Sequence, residues 1–188
     1  MSSDVRMSQK KNDTREKILA AAAELARASG PGNISLEAVA ARAGVSKGGL
    51  LYHFSSKNKL LEALVEDFLG RFDAALTAEE GSGRPNSVLS AYMDLCLRDR
   101  LCGSPPPSGL LAALAEDPGL LDPVRRYERR FLDRIRANAS DPELATLGFL
   151  ALMGLRHMDL LDIQVLEPGE AAEVICALRR RMGLPDPG

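Results

Sequence analysis

Residues 35–54, SLEAVAARAGVSKGGLLYHF, carry the side chains in this chain best suited to meeting a polyanion, and their order says how they are presented. Ser35 is a good N-cap for a helix reaching Ala43, its hydroxyl accepting an orphan N–H. Leu36, Val39, Ala40 and Ala43 recur at helical spacing and form that helix's buried face. Ala40 is small where a second helix must cross closely. Gly44 follows at the helix end, where a residue without Cβ takes the left-handed backbone at almost no cost, so the chain turns within three residues. Ser46 caps the next helix. Val45, Leu50 and Phe54 point inward along it, which leaves Lys47, Gly48, Leu51, Tyr52 and His53 to the rim and the outward face. That face is basic, hydrogen-bonding and small near its start, a composition that fits a helix laid in the major groove of DNA. The pair Gly48-Gly49 costs about 1 kcal/mol per glycine relative to alanine inside a helix. Close approach of the backbone to DNA compensates it; an ordinary helical hairpin with a loop glycine pair is the plainer reading.

Other chemistries find little support. The chain has two histidines, one of them inside this stretch. It holds no Gly-x-Ser-x-Gly elbow, no glycine loop ending in Lys-Ser or Lys-Thr, and no His-Glu-x-x-His. An enzyme is therefore not expected, and neither a cofactor nor a metal. Cys96, Cys102 and Cys176 are too few and too scattered for a disulfide framework or a zinc site. They read as buried thiols, with a redox pair at Cys96 and Cys102 as the alternative. A small-molecule carrier that does not bind DNA remains the rival from another class, since it needs only an apolar body.

The motif must be held by helices, and the rest of the chain reads as helices separated by proline and glycine breaks. Beyond the two at 35–54, the spacing predicts them over Lys57–Ala78, Val88–Cys102, Gly109–Glu116, Leu120–Ala139, Pro142–Ile163 and Pro168–Met182, after a first amphipathic helix opening at Thr14. Glu80–Asn86 is expected as a turn. With 188 residues, 45% hydrophobic and 27% charged, the chain can bury a substantial core. The least polar run, Ala145–Leu155, is far short of the roughly 20 residues a bilayer span needs, and the start lacks an apolar signal core. A cytoplasmic protein without membrane association is expected.

Charge is unevenly divided. Residues 1–60 hold ten Lys and Arg against five Asp and Glu, and residues 61–188 hold 14 against 21; all six lysines lie before residue 60. A basic front joined to an acidic remainder is the footprint of a DNA reader coupled to a body that does not touch DNA.

Residues 13–62, DTREKILAAAAELARASGPGNISLEAVAARAGVSKGGLLYHFSSKNKLLE, resemble the N-terminal DNA-binding domain of the TetR family of transcriptional regulators. The resemblance rests on the first helix opening at Thr-Arg-Glu, the Ala-x-x-Ala-Gly-Val-Ser turn, the Tyr-His-Phe end of the recognition helix, and the Ser-Lys that opens a fourth helix. It implies an all-α fold of about nine helices. Residues 1–12 are expected as a disordered basic arm, 13–60 as the three-helix DNA-binding domain, and 61–188 as a helical domain for ligand binding and dimerisation. The function implied is that of a repressor which binds palindromic double-stranded operator DNA as a homodimer and is released by a small hydrophobic effector. Carried over residue by residue, Ser35 and Lys57 meet phosphates, Ser46, Lys47, Gly48 and Gly49 lie at the groove edge, and Tyr52 and His53 reach phosphates and bases. Leu51 departs from the family pattern, standing where many members have a tyrosine or another polar reader; it touches a thymine methyl or nothing.

For the body, an apolar and methionine-rich set is expected to face an effector: Phe68, Phe72, Met93, Leu97, Leu111, Tyr127, Phe131, Phe149, Met153 and His157. Plain core is the alternative for each. Asp94, Asp159 or Asp162 offers a partner to a cationic ligand, if not simply solvated. Ala145, Gly148, Ala151 and Gly154 recur every three residues and let another helix approach closely. With Leu144, Leu147, Leu155, Met158, Val174, Ile175 and Leu178 they form the expected dimer interface, or else packing within one subunit.

Overall fold

The computed structural model describes residues 2–29, 34–101, 119, 121–161, 163, 165–167 and 169–185. Among the described residues there are eight α-helices and no strand: α1 Ser2–Ser29, α2 Leu36–Ala43, α3 Lys47–His53, α4 Lys57–Glu80, α5 Ser87–Leu101, α6 Leu121–Asn138, α7 Pro142–Leu161 and α8 Glu170–Arg181. The all-helical expectation holds, with boundaries within a few residues after α1. The expected helix over Gly109–Glu116, with Leu111, lies outside the described residues, as do Cys102 and Asp162.

α1 starts twelve residues before the expected Thr14, so residues 2–12, read from sequence as a disordered arm, are helical. No glycine or proline interrupts Ser2–Ser29. A helix nucleated over its apolar part extends through such polar residues at small cost per residue, the expensive step being nucleation.

Contacts divide the chain into two compact units, with α4 crossing from one to the other at Glu66 and Asp67. The expected boundary was six residues earlier. Leu60, Leu61, Leu64 and Val65 are all buried, and they belong to the first unit. That unit's core adds Ile18, Ala22 and Ala26 of α1, one helical turn apart, with Ile34, Val39, Ala40, Leu50 and Phe54. Arg42 of α2 reaches Glu24 of α1 at 2.6 Å on its surface.

The second unit is organised around four rings packed at tilted and edge-on angles. Tyr92 of α5 lies 5.2 Å from Phe72 of α4, 6.0 Å from Phe131 of α6 and 5.3 Å from Phe149 of α7, centroid to centroid. Val88, Leu89, Met93, Ile135, Ala145, Leu152 and Ile175 complete the core. Asn86, expected only as part of a turn, ties three breaks together. Its backbone is left-handed at φ 62°, which asparagine tolerates better than most residues. Its Nδ2 donates to Ser140 Oγ at 2.9 Å and to the Met182 carbonyl at 3.1 Å, while its Oδ1 accepts from Ser140 N at 3.1 Å. Asn138 mirrors it, accepting from Val88 N at 3.0 Å and donating to the Arg84 carbonyl. On the outer side, Arg134 of α6 bridges Asp73 and Glu80 of α4.

Candidate nucleic-acid interface and effector site

The turn between α2 and α3 is built from three local devices. Ser35 Oγ accepts from Ala38 N at 3.1 Å and Ser46 Oγ accepts from Gly49 N at 3.0 Å, each satisfying an N–H that the helix leaves open. Gly44 adopts φ 68°, ψ 31°, the left-handed conformation that lets its own N–H and that of Val45 close on the end of α2. Inward, Leu50 and Phe54 are buried, with Val45 half-buried. Arg15 of α1 stacks over Phe54 at 5.5 Å.

Outward, α3 shows the opposite character. Tyr52 is 72% exposed and Leu51 38%, and Ser35, Ser46, Lys47 and Gly48 are exposed too. His53, Gly49 and Lys57 are half-buried. The His53 ring meets the Tyr52 ring edge-on at 5.4 Å. The two glycines differ. A Cβ on Gly49 would stand 3.2 Å from Ser46 Oγ, the capping oxygen, whereas one on Gly48 would meet nothing within 4 Å. Packing inside the chain therefore gives a reason for Gly49 but none for Gly48.

Lys47 leans on Glu37 of α2, Nζ to Oε1 2.6 Å, with both side chains more than half exposed. The hydrogen bond from Lys47 holds the Glu37 carboxyl below its ordinary range. Sequence reading placed Lys47 on the rim but did not foresee this partner.

In the second unit the expected effector residues separate into groups. Phe72, Met93, Leu97, Phe131 and Phe149 are buried, and Phe68, Tyr127 and Met153 are half-buried. His157 does not face the interior as expected. It is exposed, its Nδ1 2.8 Å from the Met153 carbonyl one turn back. Asp94 and Asp159 are taken by ion pairs, with Arg179 and Arg100, each at 2.7 Å. Cys96 is buried, which pushes its thiol up to about 12 and makes it an unreactive apolar side chain.

Sequence reading missed Arg156 altogether. Its guanidinium lies over Phe72 at 4.6 Å, Phe68 at 5.6 Å and Tyr92 at 5.7 Å. Nη1 donates to Glu128 Oε1 at 3.0 Å and to Tyr92 Oη. Nε is the one buried side-chain nitrogen or oxygen among the described residues that finds no hydrogen-bond partner. Burial works against the cation, but Tyr92 and Glu128 beside it outweigh that and hold it firmly protonated. Burial also drives the Tyr92 hydroxyl upward, so it stays neutral.

The expected dimer interface splits likewise. Gly148, Leu155 and Ile175 are buried inside the subunit and cannot meet a second copy. A Cβ on Gly148 would stand 3.0 Å from Leu178 of α8, so this glycine lets α7 and α8 approach within one chain. The row of small residues does not stay on one face, because each step of three falls about 60° short of a full turn. Ala145 accordingly starts inside and Ala151 and Gly154 end outside. Leu147, at 64% exposure, Leu150, Ala151 and Gly154 form an uncovered apolar stripe on α7, and Val174 is exposed on α8. Leu144, Met158 and Leu178 are half-buried.

Two capped helices joined through a left-handed glycine, with the second helix offering its outer side to solvent, define a helix-turn-helix on an all-helical protein. Residues 18–64 match bacterial regulatory proteins of the tetR family, and residues 86–183 match the tetracyclin repressor-like C-terminal domain. This chain belongs to the TetR family. A nucleoid occlusion factor SlmA from Marinomonas sp. (strain MWYL1) is 45% identical over 60 residues, which take in 32% of this chain and only 30% of that relative. Among solved structures, a transcriptional regulator from Rhodococcus sp. Rha1 is 27% identical with a TM-score of 0.65, the match covering 90% of this chain and 94% of that one. A gamma-butyrolactone receptor, an ArpA-like protein, is 26% identical with a TM-score of 0.58, covering 92% and 89%.

Proposed function

We propose that this protein is a transcriptional repressor which binds a palindromic operator as a homodimer and leaves it when a small effector enters the body. The observation that carries the reading is the outer side of α3. A capped helix start, a glycine with no packing reason of its own, and exposed Lys47 and Tyr52 are gathered on seven residues. Helix N-termini and lysines suit phosphates, and a short helix side with an open glycine suits close approach to base edges. DNA reading is assigned to residues 13–60 and effector binding to the second unit. Ser35, Ser46, Lys47, Gly48, Gly49, Leu51, Tyr52, His53 and Lys57 are the proposed contacts.

The uncovered stripe of Leu147, Leu150, Ala151 and Gly154 on α7, with Val174 of α8, supports pairing of two copies, since apolar side chains gathered on one helix side favour burial. Two copies would set two recognition helices about 34 Å apart, one DNA turn. No helix among the described residues is long and apolar enough to cross a membrane, in keeping with a regulator that works beside DNA in the cytoplasm. Release follows if the effector prefers a form in which that spacing is lost.

Mobility shift with the DNA upstream of the protein's own gene tests the reading. A shift is expected that weakens steeply with salt and is lost in Lys47→Ala with Tyr52→Ala. No shift at low salt, or one indifferent to that double change, rejects DNA reading and leaves the helical carrier as the better account.

A further inference from the structure

We infer that the effector is an organic monocarboxylate with an apolar body, bound through the free edge of Arg156. The inference rests on the proposed regulator function and names the chemical class of its ligand.

A guanidinium has two faces and a planar set of five donors. Here the guanidinium lies over the rings of Phe72, Phe68 and Tyr92, with Phe72 at 4.6 Å. The Nη1 end is occupied as well, by Glu128 and Tyr92. What remains is the side that carries Nε and Nη2, where Nε is buried and without an acceptor. Buried donors are almost always satisfied, and an exception on a permanent cation points to an acceptor that arrives from outside the chain. A planar carboxylate matches the guanidinium edge, and it leaves Glu128 and Tyr92 where they are.

The surroundings favour this ligand over a cation. The ring-lined seat that would attract a cation already holds the protein's own, and Glu128 is engaged with it. A second cation would face Arg156 directly. Asp159 is held by Arg100 at 2.7 Å, whereas Asp99 has only a loose partner in Arg71 at 4.0 Å. Arg71 also stacks over Phe68 at 4.9 Å, so a second guanidinium more than half exposed adjoins the same ring and adds positive charge on the solvent side. The half-buried ring of Phe68, 5.6 Å from the Arg156 guanidinium, offers apolar surface for the ligand's body.

The test uses the full chain uniformly labelled with nitrogen-15, titrated with sodium benzoate, 2-naphthoate and octanoate against their uncharged amides. The expected result is saturable binding of at least one carboxylate with at least tenfold preference over its amide, and a downfield move of one guanidinium Nε–H resonance that is missing from Arg156→Lys. The wild-type resonance keeps the test valid even where Arg156 variants fold poorly. Binding with equal affinity for acid and amide overturns the inference. So does binding that leaves the Nε–H resonance in place, or no binding by any of the three carboxylates. Mobility shift on the same preparation separates the two proposals. DNA binding without carboxylate binding removes only the ligand class, and carboxylate binding without a DNA shift removes only the DNA reading.

Discussion

The cations of the helix-turn-helix and those of the body are held in contrasting ways. Lys47 stands on the surface with a single exposed partner, Glu37, which water and salt screen, and such a pair contributes little to stability. It is easily opened, as the proposed phosphate contact requires. Arg156 lies against the rings of Phe68, Phe72 and Tyr92 and donates to Glu128 and the Tyr92 hydroxyl, and Arg134 is shared among Asp73, Glu80 and Thr77. Removing one partner of a buried ion leaves its charge without compensation. The same formal charge is thus an exchangeable contact in one region and a structural commitment in the other.

The strongest test of this contrast is Glu128→Ala, which leaves Arg156 buried with Tyr92 as its remaining acceptor. A loss of about 3–5 kcal/mol in urea unfolding is expected. A loss below about 1 kcal/mol would place Arg156 in the same class as Lys47 and end the comparison. Gly44→Ala comes next: at φ 68° a Cβ costs about 1–2 kcal/mol, read as a lower unfolding midpoint, although nothing crowds the position.

Asp99→Asn sharpens the body side through pH. Burial raises the Asp99 carboxyl above 3.8, with Arg71, Arg156 and Arg98 pulling the other way. A raised folded-state value means that the folded protein binds this proton more tightly than the unfolded chain does. Ionised Asp99 therefore weakens the fold at neutral pH, and the penalty fades as pH falls through the folded value towards 3.8. The variant should melt at a higher temperature than wild type at pH 7, with the difference shrinking on acidification. Glu37→Gln is the mildest. It frees Lys47 and removes one negative charge beside α3, so DNA binding should tighten at low salt and the gain should vanish at high salt, with an unchanged melting temperature.

What the sequence disclosed follows the range of the forces involved. Ser35, Gly44 and Ser46 act on backbone groups within five residues of themselves, so their roles could be read from a string of letters. Asn86 could not, because its partners at Ser140 and Met182 are more than fifty residues away. Arg156 is one arginine among many, yet it left a signal. Ala145, Phe149, Leu152 and Arg156 share one helical stripe, and a charge on a buried stripe calls for a partner. Ala145 and Gly148 lie inside the subunit because a period of three does not keep to a single face. The arm at 2–12 failed because polar composition does not stop a helix that contains no breaker.

Every lysine of this chain precedes residue 60, and the ion pairs of the body are made by arginine. An amine-acylating reagent therefore modifies the reader's third of the molecule alone, stripping charge from Lys47 and its neighbours while every guanidinium clamp stays chemically intact. Mild acetylation offers a way to silence the proposed grip on DNA in a protein that should still melt as before.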